Sequence, residues 1–185
     1  MDSNQDLLIG CMLSEIPFAN MPVMFRNNGL DFFIVDAEHG GFSNEALSSL
    51  IMISRLCGLT IVIRLPDNQR RDIIRLMDMG ADALLLPMTG SRAEIEKVVS
   101  YAKYAPLGKR GISTTRAHSL YQNIDLQQYM KKANDHVKIF AQIETREGLE
   151  NIDDILSVAG IHGAIIGPND LACDLDCIGN EKPVL

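Results

Sequence analysis

The chain has 185 residues, enough for one domain with a substantial core, and its 46% apolar and 22% charged residues are ordinary for a soluble globular protein. A net charge of −7 with scattered Lys and Arg argues against nucleic acid or an anionic membrane as a main partner. No apolar run approaches the ~18 residues of a membrane span, and MDSNQDLLIG lacks the basic and apolar regions of a leader, so a cytoplasmic protein is expected.

Short apolar runs alternate with amphipathic stretches along the whole chain. The first strand is expected at Leu7–Leu13, followed by a helix from about Pro17 to Asn28 that Gly29 stops. Phe32–Asp36 is the second strand. Ser43 is placed to cap a helix whose apolar stripe is Ala46, Leu47, Leu50, Ile51 and Ile53. Ile61–Leu65 is a β-branched run closed by Pro66, and a helix from about Arg70 to Met79 ends at Gly80. Ala83–Met88 reads as a strand, and Ser91 caps a helix running to about Tyr104. Residues 105–136 form a long connection with a helix near Leu126–Ala133. Val137–Ile143, a helix over Gly148–Val158 and the strand Gly163–Gly167 complete six β units.

Such alternation implies a parallel sheet with helices outside, either a barrel or a doubly wound sheet. Strand polarity chooses between them. In IVIRLP, Arg64 shares a face with Val62, opposite Ile61, Ile63 and Leu65. In IFAQIE, Phe140, Gln142 and Glu144 share a face opposite Ile139, Ala141 and Ile143. A doubly wound sheet is covered on both faces and tolerates polar positions poorly, whereas a barrel mouth can hold them around a ligand. The expectation is an α/β fold, a TIM-type (β/α)8 barrel. That fold needs eight strands and roughly 250 residues. Six strands are read here and GNEKPVL offers no further one, so a single barrel domain over residues 1–185 is expected to be open, without its seventh and eighth strands and final helices.

Glu144 and Asp170 each end an apolar strand with a helical segment between them, which puts both carboxylates at the carboxyl-terminal rim of the sheet. Two convergent hard oxygen ligands suggest a divalent cation such as Mg²⁺ or Mn²⁺, with Co²⁺ a further option. Helix capping is the plainer role for each. Arg64 lies at the same mouth, and an ion pair with Asp36 or Glu38 would leave it there. His39 follows the second strand three residues after Asp36, a setting for an acid/base imidazole oriented by a carboxylate. His118, His136 and His162 have no comparable setting. Lys138 starts its strand at the wrong rim, Lys97, Lys103, Lys131 and Lys132 fall on helical segments, and Lys109 is in a loop, so none is placed for imine chemistry. Cys11, Cys57, Cys173 and Cys177 read as buried free thiols, with Cys173 and Cys177 sharing a helical face.

VDAEHGGFS, IVIRLP, MGADALLLPM, YAPLGKRGIS, QIETREGLENIDDIL and IGPNDLA resemble the successive signatures of the HpcH/HpaI family of metal-dependent (class II) pyruvate aldolases, from about Ile9 to Asn180. The resemblance implies a barrel of the phosphoenolpyruvate/pyruvate superfamily that cleaves 4-hydroxy-2-oxo acids to pyruvate and an aldehyde. It implies Glu144 and Asp170 as metal ligands, Arg64 on the enolate oxygen and His39, with Asp36 close by, as the base. Gln142, Pro168 and Asn169 would contact the 2-oxo acid. Asp78 matches an acidic position used near the active site at a subunit contact, and a homo-oligomer is implied. The chain departs from the family's glycine-rich pattern in RGISTTRAHS, where Ser113 and Thr114 would narrow the carboxylate pocket. Two alternatives stand beside this reading: an inactive truncated scaffold that pairs through its open edges, and decarboxylase or carbon–carbon ligase chemistry of the macrophomate synthase type.

Overall fold

Six short strands carry the architecture of the computed structural model, which describes residues 7–178. They are β1 (Gly10–Leu13), β2 (Phe32–Asp36), β3 (Thr60–Arg64), β4 (Ala83–Leu86), β5 (Lys138–Ile143) and β6 (Gly163–Ile166). Each lies parallel to the next in sequence, so spatial order equals chain order. The sheet curls into a half-barrel of the α/β class. Among the described residues β1 and β6 do not pair with each other, and Met12, Ile165 and Ile166 along these edges are partly exposed. The segment GNEKPVL, expected to hold no strand, lies outside the described residues.

The helices follow the apolar periodicity. They are α1 (Met21–Asn27), α2 (Asn44–Cys57), α3 (Arg70–Met79), α4 (Arg92–Ala102), α5 (Leu126–His136), α6 (Arg146–Glu150), α7 (Ile152–Leu156) and α8 (Pro168–Asp174). Ser43 caps α2 by accepting the Ala46 amide at 3.2 Å, and Gly58, at φ 69°, ends it in the left-handed conformation that glycine tolerates. Ser91 and Glu94 form a reciprocal capping box at α4.

The alternating faces of the strands reach two different cores. Phe33, Val35, Ile61, Ile63, Leu84, Ile139, Ala141 and Ile143 point outward and join Leu50, Ile51, Ile73, Leu76, Ile95 and Val98 of the helices in one continuous buried layer. Val62, Ala83 and Leu85 point inward and pack with Phe32, Ile34 and Phe140. This inner cluster is the floor beneath the polar mouth, as the strand polarity in IVIRLP and IFAQIE required.

Several boundaries differ from expectation, each for a local reason. β1 begins at Gly10 because Ile9 spends its amide on the Asp31 carboxylate at 2.9 Å, ahead of the first strand pairing, Gly10 with Phe32. Residues 17–20 form turns, and α1 starts at Met21 with Pro22 in its first turn. β4 stops at Leu86, since Pro87 has no amide to donate and Met88 takes φ 48°. α4 ends at Ala102, where Lys103 turns away to donate to the carbonyls of Asn134 and Val137. The single helix expected over Gly148–Val158 is two, α6 and α7, broken at Asn151, whose side-chain amide bonds the Gly90 carbonyl at 2.9 Å. The cysteines are free but none is fully buried, and Cys177 lies past the end of α8, so it does not share a helical face with Cys173.

Candidate active site at the strand ends

The register of β2 and β3 sets the first half of the site. Asp36 lies directly opposite Arg64 on the inner face, so the two side chains meet without any long-range coincidence. Arg64 Nε donates to Asp36 Oδ1 at 2.9 Å and Nη2 donates to Oδ2 at 2.6 Å, a planar two-point pair between side chains that are 10% and 4% exposed. Nη1 of the same guanidinium is 3.3 Å from Glu38 Oε2. Asp36 Oδ1 also accepts the backbone amides of Glu38 and His39, each at 3.1 Å, which fixes the turn after β2.

The charges in this cluster do not balance. Burial works against ionisation of Asp36, but the Arg64 and His39 hydrogen bonds, the Arg64 charge and the Glu38 amide outweigh it and hold the carboxyl below the ordinary aspartate range. Glu38 moves the other way. Burial raises its carboxyl, Arg64 and His39 oppose the rise, and the charges of Glu144 and Asp36 add to it. One guanidinium therefore serves several carboxylates.

Glu144 stands just past the end of β5 and is 2% exposed. Its Oε1 accepts the Met88 amide at 2.6 Å and its Oε2 accepts Gln142 Nε2 at 2.5 Å. Both donors are neutral, and among the described residues no Lys, Arg or His forms an ion pair with it. The chain then returns through β6 to Gly167, where an added Cβ would overlap Glu144 Oε2. That close approach sets Gly167, at the start of α8, against the Glu144 side chain, and Asp170 lies in the first turn of the same helix. Among the described residues the exposed Asp170 carboxylate has no hydrogen-bond or ion-pair partner. Arg64, Gln142, Gly167, Pro168, Asn169 and Asp170 line one cavity of about 280 Å³ with the inner apolar residues as its floor. Two carboxylates without matching positive charge form the kind of oxygen donor set that hard divalent cations take. No group of three or more His, Cys, Asp or Glu among the described residues gathers as a metal cluster.

The remaining expected residues are placed differently. The His39 imidazole is 69% exposed and sits 3.8 Å from Glu38 Oε2, not on Asp36, whose oxygens are already occupied by Arg64 and backbone amides. Asp78 is away from the mouth, on the outer side of α3, where it pairs with Arg110 at 2.8 Å. Ser113 and Thr114 do not line the mouth cavity either, so they do not narrow it within this chain. His118 is a packing residue as expected, buried between the Tyr129 hydroxyl at 2.7 Å and the Ser113 carbonyl at 2.8 Å. Lys103 is buried, and burial, aided by the Lys138 charge and opposed by Asp135, lowers its ammonium to about 8. Two carbonyls hold it outside the mouth. Met88 and Gly167 were not foreseen, because what they contribute is a backbone amide and a missing Cβ.

Over residues 19–183 the chain matches the family described as HpcH/HpaI aldolase/citrate lyase. It belongs to that family. A hydroxypyruvate/pyruvate aldolase of Roseovarius nubinhibens is 34% identical over 96% of this chain and 68% of the relative. A 4-hydroxy-2-oxo-heptane-1,7-dioate aldolase of Shigella flexneri is 34% identical over 83% of this chain but 57% of its own length. The crystal structure of an HpcH/HpaI aldolase from Desulfitobacterium hafniense superposes with a TM-score of 0.91 at 33% identity, covering 95% of this chain and 68% of that one. The chain thus spans little more than half to two thirds of the length of these family members. No helix among the described residues is long and apolar enough to cross a membrane.

Proposed function

We infer that the chain acts as a divalent-metal-dependent pyruvate aldolase, an aldehyde-lyase that cleaves a 4-hydroxy-2-oxo acid to pyruvate and an aldehyde. The observation that carries this reading is the mouth itself: a guanidinium locked by two carboxylates, a buried Glu144 held by neutral donors, and an exposed Asp170 on the cavity wall, both outside any ion pair among the described residues. Glu144 and Asp170 would hold Mg²⁺, Mn²⁺ or Co²⁺, which when bound supplies Lewis acidity toward the oxygens of the 2-oxo acid.

The chain's own residues supply the rest. Asp36 and Glu38 restrain Arg64 so that its donors lie fixed at the mouth before any substrate arrives, and a preset cationic donor favours the state in which the keto oxygen gains negative charge. Gln142, which lines the cavity, donates to Glu144 and so fixes the orientation of that carboxylate behind the cavity wall. Pro168 and Asn169 form the wall against which the 2-oxo acid lies. His39, exposed beside Glu38 at the turn after β2, is the residue that the family resemblance implies as the base, and in this reading it would take the proton from the 4-hydroxyl as the carbon–carbon bond breaks. The apolar floor of Val62, Leu85 and Phe140 limits water below the reacting atoms.

The test is pyruvate release from 4-hydroxy-2-oxo acids by the purified chain, coupled to lactate dehydrogenase. Turnover that EDTA abolishes and Mn²⁺ or Mg²⁺ restores is expected. Turnover indifferent to EDTA removes the metal role, and no turnover on any such acid with added metal leaves a non-catalytic scaffold.

A further inference from the structure

A second cavity, larger than the mouth, lies elsewhere on the chain. It measures about 790 Å³, shares no residue with the mouth cavity, and lies between α3 and the segment 115–121. Sequence RRDIIRLMDM explains its lining. Arg71 and Arg75 fall on the helix face away from the buried Ile73, Leu76 and Met77, Arg70 stands at the helix start beside them, and Arg116 joins them from the loop.

Four guanidiniums and the Asp78 carboxylate line the cavity, and Asp72 and Arg110 adjoin them through ion pairs, which makes five guanidiniums against two carboxylates. Asp72 takes Arg75 at 2.6 Å and Arg71 at 3.7 Å, and Asp78 takes Arg110 at 2.8 Å. An excess of three positive charges remains on a chain whose net charge is −7. Arg75 Nε is buried and has no acceptor among the described residues, although such a donor is costly to leave unpaired. Arg116 is held in place by its Nε donating to Ser113 Oγ at 2.5 Å, which leaves its terminal nitrogens free toward the cavity. Ser48 offers a hydroxyl on the wall from α2, and Tyr121, 66% exposed at φ 57°, edges the rim. The size is that of a small-molecule pocket.

We propose that this cavity binds a small dianion, a phosphate ester or a dicarboxylate, at a site separate from the mouth. Forked guanidiniums suit both groups, since each presents paired oxygens in the plane that the Arg fork matches. The dianion's oxygens meet exposed guanidinium nitrogens of the cavity wall, and two of the three excess charges are offset.

The full chain, labelled with ¹⁵N-arginine, is titrated separately with inorganic phosphate and with succinate at constant ionic strength, following the Nε–Hε signals. Saturable shifts of Arg75 and Arg116 are expected with at least one probe, and which probe saturates assigns the ligand class. The exposed double variant Arg70→Gln/Arg116→Gln should weaken binding about tenfold or more, while Arg92→Gln, on the surface pair with Glu96, leaves it unchanged. Circular dichroism verifies that each variant is folded. Shifts that stay linear to roughly 10 mM with both probes, or that are equal in all variants, overturn the proposal. So does a fall in particle mass for the double variant with no probe bound, which would assign the guanidiniums to a contact between copies.

Discussion

The two faces of one sheet have been given opposite tasks. On the outer face, Phe33, Ile63, Leu84 and Ile143 are fully or almost fully buried in a continuous apolar layer against the helices. One residue away on the inner face, the same strands carry a small apolar floor and then Asp36, Arg64, Gln142 and Glu144 at their carboxyl ends. The outer face is insured by redundancy, because many side chains share its burial. The inner mouth has none, since its charged and polar groups are each held by a few specific partners. Substitutions on adjacent residues of β3 should therefore fail in different ways.

Arg64→Ala is expected to have the largest effect. Loss of a preset donor should lower kcat/KM for pyruvate release by about 10²–10³-fold, and leaving Asp36 buried without its cation should reduce stability by roughly 3–5 kcal/mol. Steady-state kinetics and urea unfolding check both. Its neighbour Ile63→Ala should lose a similar stability, about 2–5 kcal/mol, through a cavity in the outer layer. Activity per folded molecule should remain within a few-fold. If Ile63→Ala removed activity while still folded, the division between the faces would be wrong.

Gly167→Ala sharpens the contrast further. The added methyl group meets Glu144 Oε2, so the carboxylate must shift, and activity should fall roughly tenfold with about 1–3 kcal/mol of strain. Thermal unfolding and kinetics together separate the two consequences.

How far such a division is legible in the sequence depends on what kind of atom does the work. Period-two polarity in IVIRLP and IFAQIE was enough to orient Arg64, Gln142 and Glu144, because side-chain direction alternates rigidly along a strand. The pairing of Asp36 with Arg64 needed the β2–β3 register, which spacing alone does not give. The Asp36–His39 contact read from a three-residue spacing failed because the intervening turn used the carboxylate for its own amides. Met88 was hidden for a related reason: its contribution to Glu144 is a backbone amide presented at positive φ. The RGISTTRAHS segment looked like part of the carboxylate pocket by resemblance, yet Ser113 and Thr114 do not line the mouth cavity of this chain; Asp78, expected at a subunit contact near an active site, lies on α3 away from this chain's own mouth.

A last prediction tests the outer region through pH. The Lys103 ammonium is lowered by burial to about 8, against a free lysine near 10.4. Below about pH 8 folded and unfolded chains both hold the proton, and the cost of burying the charge is felt in full. Between about 8 and 10.4 the unfolded chain binds more protons, so stability relative to Lys103→Met should rise with pH, by on the order of 1 kcal/mol per unit. Urea unfolding of both proteins across that range checks the sign.

Mn²⁺ binding, followed by electron paramagnetic resonance on the full chain, addresses the paired carboxylates most directly. One tightly held ion per chain is predicted, lost in Glu144→Gln and in Asp170→Asn alike and retained in Ile63→Ala. Undiminished Mn²⁺ binding in either carboxylate variant would contradict the assignment of the strand-end pair as the metal site.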